Sequence, residues 1–272
     1  MVKLNAKHPT LLMDEILHSI FFLGKLYDPE FKPESIVSDE NEISEMLKDH
    51  YPRPFNLYSS EVPKRSPFSC VLDMIVHLYG QKNDENEIIK RLQDFISQLE
   101  PGKSDGLVSS TICVSQRNSE SVRYYGVSMS TSGRDPGRIM VAASCLSSWD
   151  SKVADAVMTY KSNKTKRKYF DGTIKLPKHV RCQAFNLSDG EVKSPCSSCG
   201  NLFGLKTSKT KWSAYGNCAE AESLSNLLKN DETVREQVRP TSDTCTDENR
   251  ETVKKSVLTE LKSLLGVIFY EP

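Results

Sequence analysis

A chain of 272 residues is long enough to bury a sizeable core, and its 36 basic residues are matched by 36 acidic ones, for a formal net charge of zero. That balance excludes a strongly polyanionic or polycationic protein, so any nucleic-acid contact has to rest on a local basic patch. Eight cysteines accompany a hydrophobic fraction of 38%, which suits a soluble fold with polar loops.

The first hundred residues read as mainly helical. Leu11, Leu12, Ile16, Ile20 and Leu23 recur at helical spacing over 8–25. The apolar run 16–23 is broken by His18 and Ser19 and stopped by Gly24 and Lys25, far short of the roughly 20 apolar residues a membrane span needs. No small-residue cleavage site follows it, so neither a transmembrane helix nor a signal peptide is expected. Without a secretory signal, the cysteines are expected as reduced thiols or metal ligands in a cytoplasmic protein, or a nuclear one. A second helix is expected over 40–50, then an extended or irregular segment over 52–67, which carries four prolines. Helices follow over 69–79 and 84–99, and PGKSDG (101–106) marks a break.

Beyond the break the texture changes. LVSSTICVSQ (107–116) and SVRYYGVSMS (121–130), separated by RNSE, predict a β-hairpin with a four-residue loop. Residues 131–138 read as loop, 149–160 as a helix, 179–187 as a strand, 247–265 as an amphipathic helix and VIFYE (267–271) as a last strand. The organisation expected is a helical N-terminal region, 1–100, and an α/β domain, 107–272, with a mixed sheet flanked by helices.

Two short motifs carry the chemistry: Pro195-Cys196-Ser197-Ser198-Cys199 and Cys218-Ala219-Glu220. A C-x-x-C pair at a helix start can present both thiolates to one ion. A third thiolate leaves the fourth position of a tetrahedral zinc open, as catalytic sites require. In this pairing of PCxxC with Cys-Ala-Glu the chain resembles the cytidine-deaminase-like zinc deaminases, with the two motifs in inverted order. The likeness spans roughly residues 107–270, because the hairpin, helix, strand and PCSSC helix also follow that family's order of elements. The resemblance implies that Cys196, Cys199 and Cys218 bind Zn2+. It implies also that Glu220 moves a proton from the attacking water to the departing amine of a nucleobase. The alternative is a non-catalytic binding or signalling protein with a structural zinc site, or an inactive deaminase fold. A closed structural site needs a fourth ligand, for which Cys182, His179 and Cys245 are the candidates.

Trp212 and Tyr215 lie just before Cys218 and could line a base pocket, although core packing is the commoner use of such rings. Asn217 is read as the cap of the helix after it. KSNKTKRKYF (161–170) offers Lys164, Lys166, Arg167 and Lys168 as phosphate contacts, which points weakly to a nucleotide or nucleic-acid substrate. The helical first part is the expected surface for a protein partner.

Overall fold

The computed structural model describes residues 9–27, 29–37, 41–81, 84–99 and 106–269. Six successive buried residues, Thr111–Gln116, form β1. It lies between β2 (Tyr124–Val127) and β4 (Arg181–Asn186), and β5 (Val192–Lys193) completes a four-stranded sheet in the order β2-β1-β4-β5. A second pairing joins β3 (Ile174–Lys175) to β6 (Arg239–Pro240). The described pairings are antiparallel throughout, so the mixed sheet expected from the sequence is corrected. β2 and β4 run in the same direction, but β1 lies between them and no parallel pair forms. The hairpin strands are also shorter than their apolar runs, with the register Ile112↔Val127 to Ser115↔Tyr124.

β1 is buried on both faces because successive side chains point to opposite sides of the sheet. Ile112, Val114, Tyr125, Val127 and Phe185 pack against α5 (Pro67–Tyr79) and α6 (Glu85–Ser97), through Phe68, Leu72, Ile88 and Leu92. Ser66 caps α5 and Asp84 caps α6. On the other face Cys113 and Ala184 meet Ala219 of α10 (Ala219–Asn230), and the Ser115 and Ser223 hydroxyls hydrogen-bond at 2.8 Å. Helices from the first hundred residues therefore share a core with the sheet. The PGKSDG break in the sequence is not a break in the packing.

α10 sits unusually close to the sheet. A Cβ on Gly126 would fall 2.2 Å from the Ser223 backbone nitrogen and 2.8 Å from the Ala219 carbonyl oxygen. Side chains of α10 also satisfy the outer edge of β2. The Glu222 carboxylate accepts from the Val127 N–H at 2.8 Å, and the Asn226 amide donates to the Tyr125 carbonyl at 2.9 Å.

The remaining helices surround this centre. α1 (Pro9–Lys25), α2 (Pro33–Val37), α3 (Asn41–His50) and α4 (Pro52–Leu57) gather around Leu17, Phe21 and Phe55. The part of the proline-rich stretch that forms α4 corrects the extended or irregular segment expected there. Proline is well placed in a first helical turn, where its missing N–H is not needed, and Phe55 supplies the buried contact. Similarly α7 (Arg134–Ala143) begins inside the expected loop, with Pro136 in its first turn. It continues through a π-helical turn (Ser144–Ser148) toward α8 (Ser151–Met158), which Asp150 caps. α9 (Ser197–Phe203) and α11 (Glu232–Gln237) are short. α12 (Asp247–Phe269) replaces most of the expected final strand; Tyr270 to Pro272 lie outside the described residues. Val253, Val257 and Leu261 bury its stripe, and extending a formed helix costs little. Among the described residues no helix is long and apolar enough to cross a membrane.

The contact at Gly126 gives a direct test of this packing. Gly126→Ala should destabilise the protein by about 3 kcal/mol or more, since the new methyl meets helix backbone that cannot rotate away. Urea unfolding measures it, and an unchanged midpoint would show that α10 is not seated against β2.

Candidate metal centre

Two helix starts converge to build the site. Cys196 is the N-cap residue of α9 and Cys218 that of α10, both in extended backbone, and neither side chain is spent on capping its own helix. The sulfurs of Cys196 and Cys218 lie 3.4 Å apart, those of Cys196 and Cys199 3.7 Å apart, and all three fall within 4.8 Å of one another. Local bonds hold this arrangement. Ser198 in α9 exchanges hydrogen bonds with the Ser213 backbone, and the Ser197 N–H donates to the Lys211 carbonyl at 3.1 Å. The Met129 N–H donates to the Asn217 carbonyl at 2.8 Å, tying the entry of α10 to the chain beyond β2. Gly216 turns the chain at φ 90°, where a Cβ would come 2.7 Å from a Val141 methyl. The cap of α10 is thus Cys218 and not Asn217, which precedes the cap position.

Cys196, Cys199 and Cys218 could together hold a metal ion. A tetrahedral ion with zinc–sulfur bonds of about 2.3 Å separates its sulfurs by roughly 3.8 Å, close to the spacing found. Among the described residues no fourth Cys, His, Asp or Glu joins the group. Cys182 instead faces Cys113, with sulfurs 3.6 Å apart, Cys245 lies beside Asp155 and Arg250, and His179 is exposed. Hydrogen bonding with Cys199 and Cys218 lowers the pKa of the Cys196 thiol, while Cys218 is pushed up to about 12, chiefly by Cys196, and Cys199 is raised for the same reason.

Cys196 and Cys218 open onto a cavity of about 300 Å³ that Glu220 also lines. Glu220 is 5% exposed, and burial raises its pKa above the usual carboxylate range. Much of the remaining wall is polar. It includes Ser110, Thr111, Ser128, Ser213, Asn217 and Lys193, whose ammonium donates to the Thr111 hydroxyl at 2.7 Å. The sequence reading missed Thr111, Ser128 and Lys193. Thr111 and Ser128 come from a strand and a strand end far from either motif, and Lys193 ends β5 just before PCSSC, where no local pattern marks it as part of the wall.

Trp212 and Tyr215 do not line this cavity; they border a neighbouring one that shares Ala214 and Asn217 with it. Their rings are engaged inside the protein. Tyr215 stacks on Tyr160 at 3.8 Å, Trp212 meets Tyr215 edge-on, and the Lys164 ammonium sits 3.6 Å from the Trp212 ring centre. Of the other expected phosphate contacts, Lys166 pairs with Asp171 and Lys168 is exposed. Arg167 is a correction. It is buried, donating to the Met158 carbonyl at 3.0 Å, the Ser256 hydroxyl at 3.1 Å and the Glu260 carboxylate at 3.2 Å. A guanidinium surrounded by this many acceptors is held inward, away from the exposed face of its loop.

In comparison with known proteins, no family model matches the chain, and neither a curated protein nor a solved structure matches it.

The donor set predicts how the site behaves toward metal. Cys218→Ser should weaken zinc affinity by about 100-fold or more, whereas Cys182→Ser should leave metal content unchanged. Competition with a chromophoric chelator reads both. Because Cys199 and Cys218 hold their protons near neutrality, uptake releases protons and affinity falls as pH is lowered, by up to about tenfold per unit for each proton displaced. Calorimetry in buffers of different ionisation enthalpy counts those protons; a count of zero would mean the thiols do not ligate.

Proposed function

We propose that this protein is a zinc-dependent hydrolytic deaminase acting on a nucleobase carried by a nucleotide or nucleic acid. One observation carries the reading: three thiol sulfurs converge, two of them, Cys196 and Cys218, at the wall of a cavity that a buried carboxylate, Glu220, also lines, with no fourth ligand among the described residues. A purely structural site has no need of an open cavity or of an acid beside it. The substrate class is supported by the likeness of PCSSC and Cys-Ala-Glu to the zinc deaminase motifs.

Zinc held by Cys196, Cys199 and Cys218 would supply Lewis acidity, lowering the pKa of a water toward about 7. Glu220 would take a proton from the water that attacks the ring carbon bearing the amine, and return it to the departing nitrogen as the carbon–nitrogen bond breaks. One water is consumed and ammonia leaves. Asn217, Ser128 and Thr111 present donors and acceptors to the polar edges of a ring, and Lys193 supplies the positive charge of the wall. With Glu220 buried at the helix start, bulk water has little access to the proton it carries.

Glu220→Ala is the decisive variant. Zinc-loaded wild-type protein should release ammonia from at least one of cytidine, adenosine, their monophosphates or a single-stranded oligonucleotide. The variant should lose about 10²- to 10⁴-fold of that rate while keeping its zinc and its melting temperature. Full zinc occupancy with no turnover on any of these substrates would replace the catalytic reading with a non-catalytic one.

A further inference from the structure

The second cavity has a character of its own. It encloses about 340 Å³ between α7, α8, α12 and the segment that carries Trp212 and Tyr215. Its floor is apolar, formed by Val141, Cys145, Met158, Val257, Leu261 and Leu264. Among the described residues, the basic ones lining it are Arg134, Arg138, Lys161 and Arg167, against a single acid, Glu260. Glu260 is committed to Arg167 at 3.2 Å, and Arg138 reaches Asp135 at 3.0 Å on its own helix. Arg134 and Lys161 are exposed. The buried Arg167 guanidinium uses three N–H groups in its bonds to Met158, Ser256 and Glu260, and a guanidinium has five.

An apolar floor with a few converging polar groups, at this size, is the usual make-up of a small-molecule site. The stacked Tyr160–Tyr215 pair and the Lys164-covered Trp212 ring form its rigid side wall, so a ligand body lies against the aliphatic floor and not between the rings. We propose that this cavity is a binding site for a small amphipathic organic anion, with its apolar body on the floor and its carboxylate, sulfonate or phosphate group among the arginines and Lys161. It is separate from the thiol cavity but shares Ala214 and Asn217 with it.

The test uses 8-anilinonaphthalene-1-sulfonate as an anionic probe and N-phenyl-1-naphthylamine as its uncharged counterpart, titrated against the full chain. Saturable one-to-one binding of the sulfonate is expected. It should weaken about tenfold or more in the double variant Arg134→Glu, Lys161→Glu, whose exposed positions should leave folding intact. The uncharged probe should bind wild type about tenfold more weakly than the sulfonate. Leu264→Trp, which fills the floor, should abolish binding. Cys218→Ser and metal-free protein should bind the sulfonate as wild type does, so the result is independent of whether a base is deaminated. Three outcomes overturn the proposal. These are no saturable binding, equal sulfonate affinity in wild type and the charge-reversed variant, and loss of binding in Cys218→Ser, which would put the probe in the thiol cavity.

Discussion

The seating of α10 on the edge of the sheet is the contact on which the rest of the structure depends. Gly126 lets the helix backbone approach β2 more closely than any side chain would allow, and Glu222 and Asn226 bond the strand's outer edge. A helix fixed at this distance has its start fixed too. Cys218 and Glu220 therefore occupy defined places beside β1 and β4, and the Met129–Asn217 bond completes the anchoring. The buried Glu222, which carries no part of the proposed chemistry, does much of this work.

The metal group illustrates why chain order matters less than where helices begin. α9 and α10 enter from opposite ends of a loop, and the bonds from Ser197 and Ser198 to the backbone of Lys211 and Ser213 fold that loop back on α9. Each helix then offers its cap cysteine to the same point, and Cys199 follows from the first turn of α9. An ion senses only the positions of the sulfurs, so the order of the two motifs along the chain does not bear on whether they can share one. The same loop divides two cavities of opposite character. One is hydroxyl-rich beside the thiols, and the other is apolar, with basic side chains at its walls.

Regular periodicity was readable wherever it served a single face. α1, α3, α5 and α6 lie close to their expected spans, as do β4, α8 and most of α12. Proline at 52–57 and 134–138 reads in sequence as a break, yet it suits the first turn of a helix and both segments begin one. The sheet was read as mixed because element order alone does not reveal that β1 separates β2 from β4. The basic run 161–170 reads in sequence as a set of phosphate contacts, but Arg167 finds acceptors on α8 and α12 that are distant in sequence.

What the sequence by itself determined is the chemistry at hand: three cysteines able to hold an ion and a glutamate beside one of them, in two motifs whose spacing lets each group act from one helix turn. Local spacing suffices for that, because residues within a turn have few ways to be arranged. Only the tertiary structure decided that the two motifs meet, that Cys182, His179 and Cys245 stay outside the group, and that Trp212 and Tyr215 face a different cavity. Those relations join residues far apart along the chain. Helix-on-sheet packing sets their distances, through contacts such as Gly126 against Ser223 that no periodicity in either segment encodes.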